Sequence, residues 1–287
     1  MTQQVQQVVA VLGRGVVDPD EPVVSADDLG FTRGDGVFDA TRVVIDGSGR
    51  RIDNLEAHLA RFARSIHLLE GQVPDLGQWR ALIGQAVAAC PFSGEITLKI
   101  MWTRGRESVV TQPLGVLTLT PMTAAAIAQR AGVRVVALGR GAASDAFADA
   151  PWLLGGAKTL SYGVNVAAKR EAARRGADDV LFVSSDGYCL EGPTSALVAA
   201  FGRRLVTTPR GATGILASIT QEIAFDAARA AGWETADELL RPDQLFEADG
   251  AWLLSSVRGA APILELDRRP LAQNPELTAQ IVGWTGF

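Results

Sequence analysis

Lys158 stands in the stretch Gly155-Gly156-Ala157-Lys158-Thr159-Leu160-Ser161-Tyr162, among apolar Leu153, Leu154, Leu160 and Val164, with no acidic residue in the ten positions after it. Burial penalises the ammonium form of a lysine, and the neutral amine that results attacks carbonyl carbons. The same stretch also suits a solvated lysine on the exposed first turn of an Ala-rich helix. Arg61 falls beside the apolar stripe of another predicted helix, where it either reaches along the core edge into a cleft or stays in solvent. Ser218, Ile219 and Thr220 follow the small-residue loop Gly211 to Ala217 and lead into a helix. Exposed N–H groups at such a start bind phosphate, and ordinary side-chain capping meets them equally well. Glu191 closes an apolar strand with no partner evident in the sequence, and a buried carboxylate is costly unless a positive group meets it.

Composition narrows the field. The 287 residues are 47% hydrophobic and 21% charged, enough for one large or two medium domains with real cores. A net charge of −5 and a pI near 5.2 argue against nucleic acid or an anionic membrane as the main partner. Cys90 and Cys189 are the only cysteines, too few for a disulfide scaffold. The start, Met1 to Gln7, lacks the basic and apolar regions of a signal peptide, and no apolar run reaches the ~20 residues that span a bilayer. A cytoplasmic protein is therefore expected. His58 and His67, nine apart with no cysteine near them, form no recognisable metal set. There is no Gly-x-Ser-x-Gly elbow, and Gly13-x-Gly15 and Gly34-x-Gly36 are incomplete dinucleotide fingerprints.

The elements that must position these residues read as follows. Residues 5–17 suit a strand and turn, and 33–45 a turn running into a β-rich segment that returns through Asp46-Gly47-Ser48-Gly49. Asn54 reads as the cap of a helix whose Leu55, Leu59, Phe62, Ile66 and Leu69 share one face, with His58 and Arg61 beside that stripe. A helix over 75–90 and strands over 95–102 and 114–120 complete a small α+β domain, 1–121, followed by a connector, 122–131. The rest, 132–287, opens with strand 132–138 and irregular loop 139–152, a candidate for substrate contacts. The Lys158 helix follows and ends at Arg174-Arg175-Gly176. A hairpin over 180–192, a pair 196–201 with 204–208, a helix over 221–231, a short helix over 242–248 and strands over 250–254 and 263–266 complete the chain.

An amine that traps a carbonyl, a phosphate cradle and a carboxylate waiting for a cation are the parts of pyridoxal 5′-phosphate chemistry. From about residue 30 to 265 the chain resembles the class IV aminotransferases, fold type IV of the pyridoxal-phosphate enzymes. RGDGVFDATRV with HLARFARS, AKTLSYGVN, VSSDGYCLEGPTSALV, GILASITQEIAFDAA and LLSSVRG match that family's blocks in order. The resemblance implies an α+β / α/β fold of two domains with the cofactor at their junction, and a homodimer. Carried over by position, Lys158 would be the Schiff-base lysine and proton shuttle, and Glu191 would pair with the pyridine nitrogen. Arg61, Ser218, Ile219 and Thr220 would hold the phosphate, and Tyr162 the ring hydroxyl. Val257 stands where the family often has threonine, so the last phosphate contact would fall to Ser256 or to backbone.

Three branches of that family compete. The D-amino-acid branch carries an Arg-x-His pair after Thr-Arg-Gly; here Thr103-Arg104-Gly105 leads into Arg106-Glu107-Ser108. The branched-chain branch's Phe-Glu-Gly reads Phe38-Asp39-Ala40. GDGVFDATRV and SSVRG resemble the 4-amino-4-deoxychorismate lyases, whose substrate has two carboxylates that Arg33, Arg42, Arg104 or Arg106 could receive. The expectation is an aminotransferase of D-type or relaxed specificity acting on an amino acid and a 2-oxo acid, with the lyase as alternative or second activity.

Overall fold

A computed structural model describes residues 7–72, 74–109 and 112–287. Residues 5 and 6 of the expected first strand, and the leading residues read for a signal peptide up to Gln6, lie outside the described residues. Contacts divide the chain into two units, Met1–Thr123 with Ala157–Tyr162, and Ala124–Gly156 with Gly163–Phe287. The segment 124–131, expected as part of a bare connector, carries a helix and a 3₁₀ turn at Gln129–Ala131 and belongs to the second unit.

In the first unit β1 (Val8–Val11) and β2 (Gly15–Val17) make a hairpin. They precede α1 (Leu29–Arg33), β3 (Gly36–Asp46), β4 (Gly49–Ile52), α2 (Leu55–Leu68), α3 (Leu76–Ala89), β5 (Gly94–Thr103) and β6 (Leu114–Pro121). The sheet order is β2-β1-β6-β5-β3-β4, antiparallel throughout. Alternation along β3 buries Val37, Asp39, Thr41 and Val43, all at 1% exposure or less. Leu59, Phe62 and Ile66 of α2 are fully buried, and Phe62 meets Trp79 of α3 edge to face with centroids 5.1 Å apart. Each such side chain contributes about 1.5–3 kcal/mol by leaving water. Asn54 precedes α2 but is left-handed (φ 52°) and makes no side-chain cap, so the expected capping role falls away.

The second unit carries α4 (Ala124–Ala128), β7 (Val133–Gly139), α5 (Gly163–Arg174), β8 (Asp179–Val183), β9 (Glu191–Gly192), β10 (Ser195–Phe201) and β11 (Arg204–Thr207). It continues through α6 (Ile219–Ala230), β12 (Glu234–Asp237), β13 (Gly250–Ser255), β14 (Gly259–Leu266), β15 (Arg269–Pro270) and α7 (Pro275–Thr285). The sheet runs β12-β11-β10-β13-β14-β7-β8, parallel at β11/β12, β14/β7 and β7/β8, with β9 beside β10 and β15 beside β14. The expected helix over 242–248 is a 3₁₀ turn, Pro242–Phe246. One core of Leu181, Leu197, Leu253 and Ile263 and another of Phe225, Trp252 and Ile281 hold this unit. Among the described residues no helix is long and apolar enough to cross a membrane.

Candidate active site

Lys158 is not on a helix. α5 starts only at Gly163, and the chain before it runs along the edge of β3. Phe38 N–H donates to Lys158 C=O at 2.9 Å, Leu160 N–H donates to Gly36 C=O at 2.8 Å, and Val37 faces Thr159 in an antiparallel bridge. β4 covers β3 only from Val43 onward, so residues 158–160 satisfy backbone groups that would otherwise be a bare sheet edge. That pairing overrides the helical reading of the stretch. Gly36 permits the approach, since a Cβ there would meet Trp102 O at 2.6 Å and Leu160 Cδ1 at 2.7 Å. Lys158 N–H also donates to Ser65 Oγ of α2 at 3.1 Å. Lying opposite Phe38, Lys158 holds Nζ 4.6 Å from that ring's centroid and 5.8 Å from that of Tyr162. The two rings meet edge to face at 5.1 Å.

Asp39, one residue on, points to the other face of β3 and is fully buried. It receives Arg61 Nε at 2.8 Å and Nη2 at 2.7 Å, and its Oδ1 lies 2.8 Å from His58 Nδ1. Burial by itself would raise the Asp39 pKa. The hydrogen bonds and charge of Arg61, then those of His58, outweigh it and hold the carboxyl well below the usual carboxylate range. His58 shifts down from its ordinary 6.5, first because it is buried and despite Asp39, with the charges of Arg61 and Lys158 adding to the effect. Arg61 is thus a core-edge arginine at 5% exposure, not a solvated one. Sequence reasoning missed Asp39, His58 and Ser65. The available signal was the i, i+3 spacing of His58 and Arg61 facing an acid on the buried parity of a strand.

In the second unit Glu191 opens β9, and its Oε2 accepts Leu216 N–H at 3.2 Å. It lines a cavity with Arg140, Phe147, Phe182, Leu190 and Thr213. Ser218 is the cap of α6, its hydroxyl accepting Gln221 N–H at 3.3 Å. The capping reading is therefore right for Ser218. Ile219 and Thr220 are the first two helical residues, whose N–H groups have no acceptor within the helix. Thr220 Oγ1 lies 2.9 Å from Ser256 Oγ, on the turn between β13 and β14. Hydroxyls and helix-start N–H groups make a donor set suited to a phosphate, and a carboxylate suits a protonated ring nitrogen.

The four candidate substrate arginines divide. Arg42 is corrected: it is 4% exposed and spent on Asp53 at 2.7 Å and Glu95 at 3.1 Å, a buried cation between one carboxylate just after β4 and one on β5, the two strands that flank β3. Arg104 Nε donates to Asp35 at 2.6 Å with its side chain a third exposed. Arg33 and Arg106 are exposed, paired with Glu107 at 3.6 Å and Asp27 at 2.8 Å. Such surface pairs hold side chains weakly. Lys99, which the sequence did not single out, stands on the Lys158 face of the sheet with Nζ 6.0 Å from the Phe38 centroid.

The class IV amino-transferase family profile matches residues 36–266. A bifunctional aminodeoxychorismate lyase / D-amino acid transaminase of Mycobacterium tuberculosis is 40% identical over 285 residues, 96% of this chain and 97% of that protein. A fold IV transaminase from Curtobacterium pusillum superimposes with a TM-score of 0.89 at 40% identity, covering 98% of this chain and 97% of its own. A Mycobacterium tuberculosis aminotransferase solved with bound pyridoxal phosphate aligns at a TM-score of 0.90 and 39% identity, over 97% of this chain and 98% of that one. The chain accordingly belongs to the class IV aminotransferase family, pyridoxal-phosphate enzymes of fold type IV.

Proposed function

We propose that this aminotransferase exchanges the amino group between a D-amino acid and a 2-oxo acid, with Lys158 as its covalent anchor and base. The observation that carries the role of Lys158 is its seat: backbone tied to β3 and α2, side chain laid over Phe38. The 40% identical relative named for D-amino acid transamination supports the substrate class. Pyridoxal phosphate, when bound, supplies the electron sink that loosens bonds at the carbon bearing the substrate's amino group. Lys158 Nζ would take the proton from that carbon and carry it to the cofactor's side of the nitrogen, so that the amino group can leave the substrate. The π faces of Phe38 and Tyr162 favour the ammonium that Lys158 becomes on taking it. Glu191 keeps the ring nitrogen protonated, and Tyr162 holds the ring hydroxyl. Arg61, the N–H groups of Ile219 and Thr220, and the Ser256 hydroxyl hold the phosphate, while Ser218 keeps the start of α6 in place.

A second activity, 4-amino-4-deoxychorismate lyase, is favoured by Lys99. It places a second cation on the Lys158 face of β3 and β5, fitting a substrate with two carboxylates, and the same relative is named for both activities. Arg33, Arg104 and Arg106 are the remaining candidates for substrate carboxylates. The reading extends to a homodimer in the cytoplasm, where the buried free thiols of Cys90 and Cys189 stay reduced. The test is purified protein with D- and L-alanine and 2-oxoglutarate, and separately with aminodeoxychorismate. Exchange with the D-amino acid is expected, falling at least about 100-fold in Lys158→Ala. Absence of exchange with either hand sinks the transaminase reading, and p-aminobenzoate release in its place leaves the lyase.

A further inference from the structure

We infer that Arg130 is a positioning residue for the phosphate end of the cofactor, acting through the backbone of the turn that carries Ser256. The inference rests on the proposed assignment of that turn, with Thr220 beside it, to the phosphate. Residues 256–258 join β13 to β14, with Ser255 opposite Gly259. One side chain takes two successive carbonyls of this turn: Arg130 Nε donates to Arg258 C=O at 2.7 Å and Nη2 to Val257 C=O at 3.4 Å. A trans peptide points its N–H opposite to its C=O. Drawing these two carbonyls toward Arg130 therefore turns the N–H groups of Arg258 and Gly259 away from it. Arg258 N–H meets Ser255 Oγ at 3.3 Å, and the neighbouring Ser256 hydroxyl meets Thr220.

Four further contacts keep the arrangement from relaxing. The Arg130 guanidinium lies 5.1 Å from the centroid of the Phe287 ring, and that ring sits against Gly259, where a Cβ would meet it at 2.7 Å. The side chain of Arg258 is held separately, its Nη1 donating to fully buried Asp179 at 2.7 Å and to Gln129 at 3.1 Å. Gln129 and Arg130, adjacent on one 3₁₀ turn, thus grip the backbone and the side chain of the same loop. A cation on the negative ends of two peptides also polarises their N–H ends, which strengthens the bond from Arg258 N–H to Ser255 Oγ that holds the turn in shape. Val257 needs no hydroxyl for this. Its place in the turn is set by its carbonyl.

Apoprotein of the wild type, Arg130→Ala, Arg130→Lys and Ser256→Ala is titrated with pyridoxal 5′-phosphate and with pyridoxal, which lacks the phosphate, following the colour of the bound aldehyde. Arg130→Ala is expected to raise the Kd for pyridoxal phosphate about tenfold, equal to about 1.4 kcal/mol. Its Kd for pyridoxal and the Tm of the apoprotein stay at wild-type values, and Arg130→Lys recovers part of the loss. An unchanged Kd for pyridoxal phosphate, or equal losses for both compounds, overturns the inference. If Arg130→Ala does not fold, Arg130→Lys carries the same comparison, a selective loss supporting the role and equal losses removing it. A shift in Ser256→Ala without one in the Arg130 variants removes Arg130 alone. No shift in Ser256→Ala removes the assignment of the turn to the phosphate.

Discussion

At residue scale the first unit turns on a single fully buried carboxylate. Asp39 stays ionised because Arg61 and His58 meet both of its oxygens, so removing it takes two charge-assisted hydrogen bonds from a buried guanidinium. Asp39→Ala is expected to lose about 3–5 kcal/mol in denaturant unfolding. Protonation gives two separate windows. His58 has a lowered folded pKa, so the unfolded chain binds the extra proton as pH falls below 6.5, and stability declines there. Asp39 acts in the same direction but in a lower window. Its stabilisation is complete above its ordinary 3.8 and is lost only as pH falls through its lower folded value. Melting curves from pH 8 to pH 5 should accordingly show a fall that His58→Asn flattens, while the Asp39 contribution remains. A wild-type Tm that does not decline over that range would contradict the account of His58.

At the scale of elements, β3 carries the site because both of its faces and one edge are used. One face supplies Asp39 to α2, the other supplies Phe38 to Lys158, and the edge fixes residues 158–160. Gly36 is the hinge of that arrangement. Gly36→Val should fold, since Gly36 ends the strand and, of its remaining nine pairings with β5, the added Cβ crowds only the one at Trp102. It should push Leu160 off the edge and lower kcat about 100-fold through misplacement of Lys158. An unchanged kcat would show that the edge pairing does not set the lysine. α6 shows the opposite economy: Ser218 uses its hydroxyl to cap the helix, and the N–H groups of the next two residues face the helix start.

Across the whole molecule, the first unit is not contiguous in sequence. It takes Ala157–Tyr162 from the middle of the chain. Residues 1–123 expressed alone should therefore leave the Gly36–Phe38 edge uncovered, and the fragment should self-associate or melt below the intact chain. A peptide spanning 156–163 added to the fragment should reverse that behaviour. A monomeric fragment as stable as the parent would show that the borrowed strand contributes nothing to the unit.

The amino-acid sequence by itself determined the family, the cofactor and the order of the blocks. Five local motifs survive as strings of residues, and the stripe Leu59, Phe62, Ile66 reports its helix face through periodicity. Strand β14 and helix α6 were likewise legible within a few residues of their ends. Tertiary structure decided what each charged side chain does. Arg42 and Arg61 look alike in sequence, and only the pairing of β3 with β4 and β5 and its packing on α2 assigns one to Asp53 and Glu95 and the other to Asp39. Lys158 read as helical because helix propensity is local, whereas the sheet edge that claims it lies some 120 residues earlier in the chain. Arg130 carried no signal at all in a segment read as a link, since a guanidinium's partners here are carbonyls, and every residue has one.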